Sequence, residues 1–168
     1  MKNTIDPQRF QEFLKLSSIL TDFSEFQLRG TGQAELYYTT TTEIVGEGVM
    51  GELLEAFQTV DKEAESNPKH VDNKMRIFIF SDEKLGPIAR NLMKLWYIGK
   101  WYELPGSWHE RFGVGGKDRT FVPSPQSYVE GLLWTAIGAH PPGAKAPGYG
   151  TWTEPPSIPE ADRLLRSA

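Results

Sequence analysis

The chain has 168 residues, a formal net charge of −4 and no cysteine. That is one domain's worth of sequence with room for a tail. The missing thiols exclude disulfides, thiolate metal centres, iron–sulfur clusters, covalently attached haem and cysteine nucleophiles. No basic stretch exceeds a solvated helix face, which argues against nucleic-acid binding, and no apolar run approaches the ~20 residues of a membrane span. Met1 to Pro7 carries neither twin arginines nor an apolar segment, so a cytoplasmic chain is expected, with the periplasm as the alternative. Only 39 % of residues are hydrophobic, yet 12 % are aromatic, so the core must lean on Trp, Tyr and Phe.

Asp6-Pro7 is a cap followed by a proline at the first helical position. Phe10, Phe13, Leu14 and Leu20 continue on one face, which predicts a helix over 7–20. Gly30-Thr31-Gly32 reads as a turn. Ala34, Tyr37, Tyr38, Thr41, Ile44 and Val45 then keep helical spacing, although the β-branched run Thr39 to Thr42 lowers helix propensity. Gly46-Glu47-Gly48 separates this element from a third helix, whose face is Val49, Leu53, Phe57 and Val60. Seven acids and one lysine fall between Glu43 and Glu65. They read as a solvated face, with an acid-lined partner surface as the alternative. Ser66 to Lys69 is a loop, and Met75 to Phe80 is either a short strand or a buried helical turn.

Asp82 is the next cap. Leu85, Ile88, Ala89, Leu92, Leu95 and Trp96 predict a helix over 83–98 that Gly99 ends. Residues 99–123 show no period and hold Trp101, Tyr102, Trp108, Phe112 and Phe121. A loop that long is either functional or packed by its own side chains. Ser124-Pro125 repeats the cap-and-proline signal before a helix around Tyr128 to Trp134. That helix is apolar on more than one side, which asks for burial at the centre or against a partner. From Gly138 to Pro159 prolines and glycines are too dense for helix or central strand. Tyr149 and Trp152 sit among them, and a free linker normally lacks large aromatics. Asp162 to Ala168 could add a last helical turn. The expected architecture is mainly α, with a helical domain at 1–137, a long aromatic loop within it, and an extended Pro/Gly-rich partner-binding tail at 138–168. There is no internal repeat.

Catalytic constellations are sparse. His70, His109 and His140 have no metal-ligand spacing, and the neighbours His109 and Glu110 say little about distance in a fold. Gly113-Val114-Gly115-Gly116-Lys117 is followed by Asp118, where a phosphate-binding loop needs Ser or Thr, and its flanks are aromatic. Glu52 and Glu55 form a carboxylate pair, but acid–base work needs a desolvated cleft. A self-contained enzyme centred on His109 or His140 is therefore the lesser reading. Concentrated Trp and Tyr point to recognition or, equally for Trp96 and Trp134 on their helices, to the core of one small helical domain. The candidate partner-binding residues are Trp96, Tyr97, Trp101, Tyr128, Trp134, Pro141, Pro142, Tyr149 and Trp152.

Three segments in order carry a family resemblance: Leu95-Trp96-Tyr97-Ile98-Gly99, the helix near Tyr128 to Trp134, and Gly150-Thr151-Trp152 in the tail. Leu16 to Thr21 adds an earlier match. The chain resembles the small subunit of FAD-dependent sorbitol, fructose and glucose dehydrogenases, and the related third subunit of gluconate 2-dehydrogenase. The resemblance implies a mainly helical, non-catalytic subunit without a cofactor of its own. It would clamp and stabilise a large glucose–methanol–choline-type flavoprotein that holds FAD and oxidises a sugar or alcohol, and a cytochrome c subunit could join through that complex. Members of the family often carry a twin-arginine signal and some a cysteine near the tail; both are missing here, so export and an intersubunit disulfide are not expected. The alternative is a free-standing carbohydrate- or ligand-binding module that stacks sugars on exposed Trp96, Trp101 or Trp108.

Overall fold

Asp6 caps the first helix as its position promises: its carboxylate accepts a hydrogen bond from the Gln8 amide at 2.9 Å, with Pro7 in the first turn. Such a cap contributes about 1 kcal/mol. The computed structural model describes residues 5–66, 70–113, 116–141 and 144. Helix α1 runs Pro7–Thr21 and buries Phe13, Leu14, Leu16 and Leu20. It stops at Asp22, whose φ of 60° is left-handed.

A short helix α2 (Glu25–Gly30), absent from the sequence reading, follows. Its capping box is complete: Ser24 Oγ accepts from the Gln27 amide at 3.2 Å and Gln27 Oε1 accepts from the Ser24 amide at 2.9 Å. Helix α3 (Ala34–Val45) keeps the threonine run helical. Tyr37, Tyr38, Thr41, Ile44 and Val45 are buried, and that packing outweighs the propensity cost. Helix α4 (Glu47–Ser66) packs on α1 and α3. Most of its acid face is neutralised within the chain. Arg9 pairs with Glu47, Lys15 with Asp61, Lys74 with Glu63 and Lys84 with Glu52, and Lys117 reaches Glu43 at the end of α3.

The ambiguous Met75 to Phe80 segment is helical, not a strand. Helix α5 (Val71–Met75) passes into a π-helical turn at Arg76–Phe80, closed by Ser81 N donating to Arg76 O at 2.9 Å. Met75 and Ile79, four residues apart, face the core while Ile77 and Phe78 stay exposed.

Helix α6 (Leu85–Ile98) is the central element, touching α1, α3, α4 and the π turn. Asp82 caps it, Oδ1 accepting from the amides of Lys84 and Leu85 at 2.8 and 2.7 Å. Its Trp96 packs edge-on against Tyr37 at 4.8 Å and lies 6.5 Å from Phe13 between ring centres, so three helices meet on aromatic rings.

Two expectations change after Gly99. The 99–123 segment contains a helix, α7 (Gly106–Phe112), opened by Pro105. The expected single helix near Tyr128 to Trp134 is two short ones, α8 (Pro125–Val129) and α9 (Leu132–Ala136), both packed on α6. At the break Gly131 passes close to the end of α6, where a Cβ would sit 2.8 Å from Tyr97 O. The fold is mainly α as expected, with no strand among the described residues. The tail from 145 onward, including the last turn expected at 162–168, lies outside them.

Candidate interface at the end of helix six

The end of α6 is held by a close backbone approach. Gly99 adopts φ 71°, and a Cβ there would stand 2.0 Å from Ser127 O. Only glycine permits both the conformation and the contact. Ser127 is fully buried, and its hydroxyl and that of Ser124 each donate to Gln33 Oε1 at 3.2 Å. Tyr97 donates its phenolic proton to Thr21 O at 2.8 Å and packs edge-on against Phe23, tying the same helix end back to α1. Burial, then the Asp22 carboxylate, raise the Tyr97 pKa above its ordinary value. Burial pushes the Tyr37 phenol up to about 12.

The aromatic loop is packed by its own side chains. Trp101 and Phe121 exchange backbone hydrogen bonds of 2.9 and 3.0 Å. Asn91 imitates a strand neighbour: its Nδ2 donates to Tyr102 O and its Oδ1 accepts from Tyr102 N at 3.2 Å. The centre of the loop is Asp118, whose side chain is fully enclosed. Asp118 Oδ1 accepts from Trp101 Nε1 at 2.7 Å, Oδ2 accepts from the Leu104 amide at 2.8 Å, and His109 Nε2 lies 2.9 Å from Oδ2. A buried carboxylate is tolerable only with such partners. Trp108 is also internal, donating from Nε1 to Lys84 O at 2.8 Å.

These contacts correct two candidate residues. Trp96 and Trp101 are 1 % and 0 % exposed, so their rings belong to this chain's core and cannot meet a partner in the folded state. Tyr97 is half-buried. Tyr128 and Trp134 remain near the surface as an edge-on pair 5.4 Å apart, with Trp134 Nε1 donating to Tyr128 O at 2.8 Å. Pro141 is buried. Pro142, Tyr149 and Trp152 lie outside the described residues.

Phe26, Ile77 and Phe78 are exposed earlier in the chain, and beyond residue 97 the sequence reading missed four more exposed apolar residues: Ile98, Val122, Leu133 and Ile137. They come from the end of α6, the segment after Phe121, and α9. No sequence signal distinguishes an exposed Leu133 from a buried Leu132, because the break at Gly131 decides which faces inward. Asp118 was likewise missed as the partner of His109, since nothing in a patternless loop announces that pairing.

Among the described residues no His, Asp and Glu side chains form a group of three that could hold a metal ion. The surface notches beside Arg9 and Glu55 and beside Trp108 and Phe112, about 250 and 220 Å³, fall below the ~300–1,000 Å³ usual for cofactor pockets. Among the described residues no helix is long and apolar enough to cross a membrane. Comparison with protein-family models, with curated proteins and with solved structures gives no match.

Proposed function

We propose that this chain is a non-catalytic small subunit that docks on and stabilises a large FAD-dependent dehydrogenase of the glucose–methanol–choline type, which oxidises a sugar or alcohol. FAD belongs to the partner in this reading, and a cytochrome c subunit can join through the complex. The observation that carries the reading is that two of the three resemblance segments, Leu95 to Gly99 and Tyr128 to Trp134, meet at the end of α6, where Ile98, Tyr128 and Leu133 are exposed. Burying such side chains against a partner is the ordinary way to remove them from water. The sugar-stacking alternative loses support, since Trp96, Trp101 and Trp108 are at most 2 % exposed.

The test is co-expression of the tagged chain with a large flavoprotein dehydrogenase subunit from the same genome. The expected result is a co-purifying yellow complex with sugar or alcohol oxidation activity. In that complex His109→Ala leaves turnover within a few-fold of wild type, because its role is to contact Asp118. A chain that purifies alone as a monodisperse monomer and captures no flavoprotein overturns the proposal.

A further inference from the structure

Helix α7 is held to the domain by side chains. Among the described residues its backbone bonds stay local, reaching back to Pro105 and forward to Gly113. Its links to the body are four. Trp108 Nε1 donates to Lys84 O at 2.8 Å, His109 stands beside Asp118, Arg111 pairs with Glu83, and the Lys84 ammonium lies 5.8 Å from the centre of the Phe112 ring. Trp108 is the one buried residue of its seven.

The other links are loose. His109 Nε2 lies 2.9 Å from Asp118 Oδ2 without hydrogen-bond alignment. Arg111 and Glu83 are both mostly exposed, and such a pair contributes little. Seven residues are too few for a helix to be stable without support. The ends of α7 are also unpacked. At Gly99 and Gly131, beside α8 and α9, an added Cβ would strike backbone, but at Gly106 and Gly113 it would meet nothing within 4 Å. Asp118 does not need α7 to keep its place, because Trp101 Nε1 and the Leu104 amide hold its carboxylate from the body of the domain.

We propose that α7 is a strap that lifts from the domain as one unit, turning about Gly106 and Gly113, while α6 and Trp101 stay closed. Lifting takes Trp108 off Lys84 O and His109 off Asp118, whose side chain is fully enclosed when the strap is down. An element with one buried anchor and open ends belongs to the low-stability end of a fold, from which lids are drawn. This motion belongs to the chain by itself and does not depend on the subunit reading.

The experiment is native-state hydrogen exchange of the full chain, read residue by residue between 0 and about 1 M urea. The variants are His109→Ala and Gly106→Ala on the strap, and Ile44→Val in the buried face of α3, away from it. In wild type the 109–113 amides should share one opening constant, about 100-fold or more above that of the Leu92 and Leu95 amides, with a common shallow urea dependence. Ile44→Val should speed Leu92 and Leu95 by about 2- to 10-fold and leave 109–113 unchanged, because Ile44 stays packed when only the strap lifts. His109→Ala should raise the opening of all five strap amides together by several-fold. Gly106→Ala, which meets no neighbour and has no left-handed φ to strain it, should lower that opening by about 2- to 5-fold. Strap amides that respond to Ile44→Val as Leu92 and Leu95 do would show one cooperative fold and overturn the proposal. Strap amides that exchange each at its own rate, indifferent to urea and to His109→Ala, would show fraying instead of a unit and overturn it as well. A Gly106→Ala chain that opens as readily as wild type overturns the hinge.

Discussion

Trp101 and Trp134 both lie in the aromatic-rich C-terminal half of the sequence, and the fold treats them in opposite ways. Trp101 is wholly enclosed because its indole proton finds a buried carboxylate, Asp118, while its backbone pairs with Phe121. Trp134 spends its indole proton on the carbonyl of Tyr128, a residue 39 % exposed, so the pair stays at the surface. In these two residues the fate of the ring follows where its indole proton is satisfied, whereas Trp96 is buried with no hydrogen-bond partner for its Nε1. The first region is this chain's own interior. The second, with Ile98, Leu133 and Ile137, is surface that asks to be covered.

That contrast can be broken most forcefully at Trp101. Trp101→Ala should cost about 3–5 kcal/mol, read as a shift in the urea midpoint, because it empties a filled core position. Trp134→Ala should cost about 1 kcal/mol or less in the isolated chain and show its main effect in assembly. Equal losses for the two would erase the distinction between the regions.

Asp118→Ala should follow at about 2–4 kcal/mol, since it strands the Trp101 indole and the Leu104 amide in the interior. If Asp118→Ala melts like wild type, the loop is held by something other than this carboxylate.

A glycine pair sharpens the same contrast. Gly99 and Gly113 have φ of 71° and 68°, so both resist a side chain on backbone grounds. A Cβ at Gly99 would also strike Ser127 O, whereas nothing lies within 4 Å of one at Gly113. Gly99, at ψ 23°, is in the left-handed helical region, while Gly113, at ψ 136°, is in a region open essentially to glycine alone. Gly113→Ala should therefore cost about 1–3 kcal/mol on backbone grounds alone, and Gly99→Ala about 2–4, chiefly from the clash with Ser127 O.

One further effect is confined to alkaline pH. The Tyr37 phenol has a folded pKa of about 12 against an ordinary 10.0. A raised pKa means that its stabilisation is complete below pH 10 and is lost between about 10 and 12, amounting to about 2–3 kcal/mol at most. Tyr37→Phe should flatten stability across that window without moving it at pH 7. An unchanged alkaline profile would show that the phenol ionises without opposing the fold.

Much of the helical frame was legible because caps and periods are local. Asp6-Pro7, Asp82 and Ser124-Pro125 each open an element where their chemistry predicts, and the spacing of Leu85 to Trp96 gives both the helix and its buried face. The Ser24–Gln27 capping box was equally local and was passed over because six residues leave no period to read. The Met75 to Phe80 turn was ambiguous for the same reason. The candidate interface was less legible, because exposure is a tertiary property. Whether Trp96 or Trp134 faces water depends on Tyr37, Phe13 and Gly131, none of them a sequence neighbour of the first ring or a patterned neighbour of the second. The partner of Trp101, Asp118, lies across an irregular loop that carries no period at all.

The most direct measurement is the affinity of the flavoprotein subunit for Ile98→Asp/Leu133→Asp, set beside the melting temperature of the same variant alone. Both side chains are exposed, so the isolated fold should melt within a few degrees of wild type. Two carboxylates placed in a dry contact should weaken assembly by about 100-fold or more. A variant that folds as wild type and assembles with undiminished affinity would show that the partner, if it binds, covers some other face of the molecule.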